Sequence, residues 1–225
     1  TPSLILYFFA CSITVLFNLM GTYTLAIYSK TIIVPSIFIY YLVTNNYKIS
    51  GTKSLIFLFS FIGEVYLLMN NLHTEITPIV CFIVVYSLIL KFVIDDFRKL
   101  SFTKKDVFQI LGMLILICLL FSTILNLKFE KLRFDFSVFI IYAFLLGILS
   151  ILSFSNFIAK PCYTFLNLIL MSVCFIISNI FYVLDNFYFP LVTFKIIGNI
   201  AQLFSYFFIV NYFIGKDKNK LEITL

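Results

Sequence analysis

The sequence predicts an all-α integral membrane protein, a single domain of residues 1–225 that crosses the membrane as eight helices. Of the 225 residues, 62% are hydrophobic and 12% are charged, whereas soluble domains carry about 25% charged residues. The apolar residues form runs of about 18 to 25, the length that crosses ~30 Å of hydrocarbon. The polar stretches between the runs are too short for a soluble domain.

Each helix boundary is predicted by residues that interrupt helices or carry charge. In chain order these are Gly21-Thr22, Asn45-Asn46 with Gly51, Asn70-Asn71 with Pro78, the charged stretch Asp95–Asp106, Lys128–Asp135, Lys160-Pro161, and Asp185 with Pro190. They divide the chain into helices at about 3–20, 24–44, 54–71, 76–94, 106–126, 135–155, 162–184 and 190–214. The first boundary is the most weakly marked.

Lys and Arg residues are unequally distributed between the two sides of this bundle. One side has ten, namely Lys48, Lys53, Arg98, Lys99, Lys104, Lys105, Lys160, Lys216, Lys218 and Lys220, and the other has Lys128, Lys131 and Arg133. Because positively charged loops tend to stay in the cytoplasm, both termini are predicted to be cytoplasmic, in a bacterial inner (plasma) membrane. The net charge of +6 then reflects topology, and nucleic acid is not an expected partner.

Predicted helices 3 and 7 contain similar sequences, FIGEVYLLMNN at 61–71 and IISNIFYVLDN at 176–186. The alignment pairs Glu64 with Asn179 and Gly63 with Ser178. Helices four apart in the chain run in the same direction, so the similarity suggests a parallel repeat of four plus four helices.

Glu64 is the one acidic residue that lies deep within an apolar run. It comes about ten residues after the run begins, roughly 15 Å into the membrane at 1.5 Å per residue. The other nine Asp and Glu residues lie at run ends, in loops or in the C-terminal tail. Because an ionisable group at this depth is costly, it is expected to face the protein interior.

Polar side chains recur at helical spacing on three of the predicted helices. They are Ser60, Glu64 and Asn71 on helix 3, Ser172, Asn179, Tyr182 and Asn186 on helix 7, and Lys195, Asn199, Gln202 and Tyr206 on helix 8. Since polar groups in hydrocarbon need partners, we expect these faces to meet inside the bundle, joined by Tyr86 and Tyr142. The same residues would also suit plain interhelical hydrogen bonding, and Lys195 would also suit snorkelling to the interface.

The available side chains restrict the chemistry. A buried Glu64 would serve as a general acid, and Lys30 and Lys195 near the outer helix ends would contact a phosphate. The single His73 excludes a Ser-His-Asp triad, and neither a G-x-S-x-G motif nor a glycine-rich phosphate loop is present. The five cysteines have no C-x-x-C spacing, so neither a metal nor another cofactor is expected.

Five short motifs together resemble the YhhN-like lysoplasmalogenase family of eight-helix membrane proteins. In order, across about residues 28–214, they are Lys30, Gly63-Glu64, Tyr142, Ser178-Asn179 and Ala201-Gln202. Family members usually have Asp where this chain has Glu64 and Asn179, a His at Tyr86 and a Tyr at Gly198.

The resemblance implies hydrolysis of the vinyl-ether bond of a lysophospholipid-like membrane lipid. It implies catalytic roles for Glu64 and Asn179, with Asn179 and Gln202 positioning water or substrate. The expected substrate-binding residues are Lys30, Tyr142, Lys195, Asn199 and Gln202. Because Asn179 replaces one of two carboxylates, a lipid-binding or structural member that has lost catalysis is the alternative. A small transporter is a third interpretation.

Overall fold

The computed structural model describes residues 1–69, 76–125 and 136–223, and these residues form only helices and their connections. The helices are α1 (Pro2–Leu19), α2 (Tyr23–Thr44), α3 (Gly51–Met69), α4 (Ile76–Phe97), α5 (Lys104–Leu125), α6 (Phe136–Ala159), α7 (Tyr163–Val183) and α8 (Val192–Ile223), with a π-helical turn at Leu184–Tyr188. The all-α prediction is therefore confirmed for this part of the chain. The predicted breaks at Asn70-Asn71 and at Lys128–Asp135 lie outside it.

Six of the helices, α1 and α4 to α8, are long and apolar enough to cross a membrane. Among the described residues of α2, a shorter apolar stretch is found at Tyr28–Thr44. Helices α2 and α3 carry the charged residues Lys30, Lys53 and Glu64. The long apolar helices are those of a membrane protein.

Six helices close into a ring. The packing order around the ring is α2, α3, α4, α6, α7, α8 and back to α2. Outside the ring, α1 packs against α2 and α8, while α5 packs against α6. Pro35 lies within α2 without ending it.

Two buried ion pairs tie α8 to the ring at one end, here named the paired-charge end. There α2 and α4 finish and α3 begins. Lys216 Nζ lies 2.7 Å from an Asp96 carboxylate oxygen, and Lys53 Nζ lies 2.5 Å from an Asp217 carboxylate oxygen.

The sequence analysis counted Lys53 and Lys216 as loop residues, and this was wrong. Both lie within helices and are buried. Lys216 pairs with Asp96, and Asp217 pairs with Lys53. These pairs hold the helix against the protein beyond residue 214, and α8 extends to Ile223. The three cationic residues assigned to the opposite side lie outside the described residues.

Candidate functional site

An ion pair between α2 and α3 lies in the interior of the ring. Lys30 Nζ is 3.0 Å from Glu64 Oε2, and the two residues are 4% and 1% exposed. Lys30 also donates to Gln202 Oε1 at 3.0 Å and to Asn199 Oδ1 at 3.3 Å. The ammonium group thus has three acceptors from two other helices.

The Glu64 carboxylate is held from α8 as well. Its Oε1 accepts hydrogen bonds from Gln202 Nε2 at 2.5 Å and from the Tyr206 hydroxyl. Its Oε2 lies within ion-pair distance of Lys30, yet the angles do not satisfy a hydrogen bond. A proton or a further donor can therefore be accommodated at Oε2.

A second polar cluster joins α4, α6 and α7. Asn179 Nδ2 donates to the Tyr86 hydroxyl at 3.1 Å and to the Phe175 carbonyl at 2.7 Å. The Tyr142 hydroxyl donates to Asn179 Oδ1 and lies 3.2 Å from the Tyr86 hydroxyl. The three side chains form a closed triangle in which the Asn179 amide is fixed on both sides.

A cavity of about 60 Å³ lies beside both clusters. Tyr86, Tyr142 and Asn179 line one part of it and Gln202 lines another. Glu64 is not a lining residue, but it is the hydrogen-bond partner of Gln202. Gln202 therefore stands between the cavity and the buried carboxylate.

The cavity lies in the half of the ring away from the paired-charge end. Its α4 lining begins at Pro78, close to the start of that helix, and its α7 lining ends at Val183, the last residue of α7. The cavity therefore lies nearer the helix ends opposite Lys53 and Asp96.

The residues expected to form one site are divided between two. Lys30, Asn199 and Gln202 gather at Glu64, whereas Tyr142 contacts Asn179. Glu64 and Asn179 share no hydrogen bond in the described structure, because α3 and α7 lie across the ring from each other. The three polar faces thus form two hydrogen-bonded clusters, and Gln202 belongs to the first and lines the cavity that Asn179 of the second also lines.

Two expected phosphate contacts differ in their surroundings. Lys195 is exposed and does not line the cavity. Lys30 is buried, and its ammonium group already pairs with Glu64 and donates hydrogen bonds to Asn199 and Gln202. Lys30 is thus a partner of the carboxylate and not part of a cationic rim.

Some members of the predicted polar faces have purely structural bonds. Ser172 donates to Ser153 on α6 at 2.8 Å, and Asn186 donates to the Tyr182 carbonyl of its own helix. Asn71 lies outside the described residues.

The sequence analysis predicted no ion-pair partner for Glu64. It placed Tyr206 on the polar face of helix 8 and gave it no further role. A signal for the ion pair was present, because Lys30 and Glu64 are opposite charges within apolar stretches of consecutive helices. Tyr206 lies four residues after Gln202 on the same helical face, which could have placed its hydroxyl beside the carboxylate.

No family model matches the chain, and neither a curated protein nor a solved structure shows significant similarity to it. The resemblance to the YhhN-like lysoplasmalogenases therefore depends on the residue pattern alone.

The arrangement offers proton chemistry beside an apolar chamber. Lys30 and Glu64 place an ammonium group 3.0 Å from a carboxylate oxygen, with Gln202 bonded to the same carboxylate, and carboxyl and amine groups are among those used in general acid–base catalysis. Asn179, Tyr86 and Tyr142 offer hydroxyl and amide groups that can orient a substrate oxygen or a water molecule.

Proposed function

We propose that the chain binds a lysophospholipid-like membrane lipid in the cavity and hydrolyses its vinyl-ether bond, as the resemblance to the lysoplasmalogenases implies. The observation that supports this most is the buried Lys30–Glu64 pair, whose carboxylate is hydrogen-bonded to the cavity-lining Gln202. An acid–base pair behind a mostly apolar chamber suits a lipid whose reactive bond must be protonated without bulk water.

The reaction adds water across the vinyl ether. The pair first delivers its proton through Glu64 to the alkene carbon remote from the ether oxygen, which leaves an oxocarbenium ion. Water then attacks the carbon bonded to oxygen and returns a proton to the pair. The resulting hemiacetal breaks its carbon–oxygen bond and releases a fatty aldehyde and a glycerophospho-alcohol. In this scheme Gln202 must move aside for the proton to reach the substrate.

Lipid binding without turnover is the second candidate. It is favoured because no carboxylate lines the cavity among the described residues and because Asn179 stands where the family usually has Asp. Aldehyde release by the purified chain, supplied with a lysoplasmalogen in liposomes, separates the two. Release supports hydrolysis, whereas saturable binding without release favours the second candidate.

Replacing Asn179 by Asp should raise aldehyde release. Asn179 Nδ2 lies 2.7 Å from the Phe175 carbonyl oxygen, so an acid there would avoid repulsion by being protonated and donating to it. A protonated acid would then line the cavity. We expect an increase on the order of tenfold, below the 10²–10⁴-fold of an optimally placed group.

The matched control is Asn186→Asp, which lies in the π-helical turn that follows α7 and is exposed. It makes the same chemical change away from the cavity and should leave aldehyde release unchanged. An equal rise in aldehyde release in both variants, or no rise in Asn179→Asp, would argue against a catalytic role for residue 179.

We further propose that all eight helices cross the membrane, with both termini in the cytoplasm. Lys30 and Glu64 reduce the hydropathy of α2 and α3, but they neutralise each other inside the ring, so neither faces lipid. The repeat is supported by the packing order, since shifting each helix number by four maps the ring onto itself.

A reporter fused to the C-terminus tests this topology. An enzyme that is active only in the cytoplasm should be active there, and one that is active only outside should not. The opposite pattern would contradict the proposed orientation.

A further inference from the structure

The cavity beside the two clusters is small and uncharged. Its volume of about 60 Å³ has room for roughly four water molecules, since one water occupies about 10–15 Å³ of such space. Among the described residues, no Asp, Glu, Lys, Arg or His lines it. Because an ion buried without a counter-charge is costly, the cavity suits a neutral group of a few heavy atoms.

The triangle of Tyr86, Tyr142 and Asn179 has used all of its hydrogen-bond donors. The Asn179 amide gives one N–H to the Tyr86 hydroxyl and the other to the Phe175 carbonyl. The Tyr142 hydroxyl donates to Asn179 Oδ1, so the hydrogen bond between the two tyrosines is donated by Tyr86. Each of the three oxygens keeps one lone pair, and the triangle therefore offers only acceptors to a ligand.

Gln202 offers the opposite capacity on another part of the cavity wall. Its Nε2 donates one hydrogen to Glu64 Oε1, and its Oε1 accepts a hydrogen bond from Lys30. The amide of Gln202 has a second N–H hydrogen, which has no acceptor in the part of the chain that the structure describes. The side chain is partly exposed and lines the cavity, so this hydrogen is available to a ligand.

A hydroxyl group matches both walls. It donates its hydrogen to the triangle, while its oxygen accepts from Gln202. An ether, carbonyl or ionised phosphate oxygen can only accept, so at the triangle it would face acceptors. Ser178 and Tyr182 also line the cavity, and their hydroxyls can donate or accept, which leaves this difference between the walls in place.

We propose that the cavity is a binding site for a neutral hydroxyl group, held between the triangle and Gln202. The hydroxyl belongs either to the free alcohol on the glycerol of the bound lipid or to a water molecule. The phosphate of the lipid then lies outside the cavity. The lipid as a source of the hydroxyl rests on the proposed function, but the site itself does not require hydrolysis.

Two lipids that differ in one group test the inference. The first is a saturated ether lysophospholipid with its free glycerol hydroxyl, and the second has fluorine in place of that hydroxyl. Fluorine is similar in size but cannot donate a hydrogen bond. Neither lipid has a vinyl ether, so turnover does not affect the result. Binding to the full chain in detergent, measured as thermal stabilisation against lipid concentration, is expected to be about tenfold weaker for the fluorinated lipid, the effect of one hydrogen bond.

Asn179→Leu should abolish this preference. Without the amide, the Tyr142 hydroxyl loses its acceptor and presents a donor to the cavity, so the fluorinated lipid is no longer disfavoured. A loss of packing alone would weaken both lipids and leave their ratio unchanged. The matched control is Asn186→Leu, the same change at an exposed position, which should keep the preference. If Asn179→Leu does not fold, Tyr142→Phe frees the Tyr86 hydrogen instead and takes its place.

The outcomes separate the two sources of the hydroxyl. Equal binding of both lipids, with ordered water in the cavity of a lipid-bound structure, supports the site and assigns its hydroxyl to water. A preference that persists in Asn179→Leu, or a phosphate oxygen in the cavity, would overturn the inference.

The site and the enzyme can also fail separately. Aldehyde release from a vinyl-ether lipid, with equal binding of the two probes and an empty cavity, would keep the proposed function and reject the hydroxyl site. The predicted preference without aldehyde release would reject hydrolysis and keep the site.

Discussion

Glu64→Gln is expected to lower aldehyde release from a lysoplasmalogen by about 10²–10⁴-fold, the contribution of a general acid–base group. Gln has the shape of Glu and can accept a hydrogen bond from Tyr206, but it cannot take up and deliver a proton. The Lys30 proton then has no route to the substrate through Glu64. The measurement is the initial rate of aldehyde formation by purified protein in liposomes, normalised to folded protein.

Loss of the carboxylate also leaves the buried Lys30 charge without its Glu64 partner, and unfolding caused by that charge would lower the activity as well. The double variant Lys30→Met/Glu64→Gln removes both charges, and replacing a whole buried pair is often close to neutral for stability. It should therefore accumulate better than Glu64→Gln while staying inactive. Asp95→Asn makes the same carboxylate-to-amide change at an exposed position and should remain active. Full turnover by a folded Glu64→Gln protein would show that the carboxylate is structural.

The helices and the depth of Glu64 could be predicted because both are local properties of the sequence. Run length determines whether a helix can span the membrane, and an acid in the middle of such a run must face protein. Gln202 was likewise expected near Glu64 because its helical face is polar. These predictions needed only the spacing of residues along one helix.

The division of the site into two clusters could not be predicted in this way. Helical spacing shows which residues share a face, but not which helix that face meets. The neighbours of Glu64 come from α2 and α8, and those of Asn179 from α4 and α6. In each case one partner helix is adjacent in the ring and the other is the helix after it. The ring order depends on packing between distant parts of the chain.

The burial of Lys53 and Lys216 at the paired-charge end was not predicted, for a related reason. A Lys at the edge of an apolar run is predicted to lie in a loop. Its burial within a helix depends on a partner from another helix, which the local sequence does not show. Lys53 is one such case, because its carboxylate partner lies 164 positions along the chain. Counting charges along the sequence cannot distinguish it from an exposed lysine between helices such as Lys99.

Asp217→Asn should destabilise the protein by about 2–3 kcal/mol, somewhat less than the 3–5 kcal/mol of a fully buried pair, since the Asp217 side chain is 18% exposed. Its carboxylate accepts from the Tyr41 hydroxyl at 2.8 Å as well as pairing with Lys53. The amide keeps a hydrogen bond but leaves the Lys53 charge 5.1 Å from the ring centre of Phe213 without its counter-ion. Thermal unfolding in detergent, with Asp95→Asn as the exposed control, measures the loss.

The double variant Lys53→Met/Asp217→Asn separates charge from packing in this prediction. If the unpaired ammonium is what destabilises Asp217→Asn, removing it should recover much of the lost stability. If the loss comes instead from the Tyr41 hydrogen bond or from helix packing, the double variant should be no more stable than the single one. Recovery would establish that charge pairing holds the far end of α8 against α2 and α3. If Asp217→Asn is as stable as the unmodified chain, the prediction is wrong.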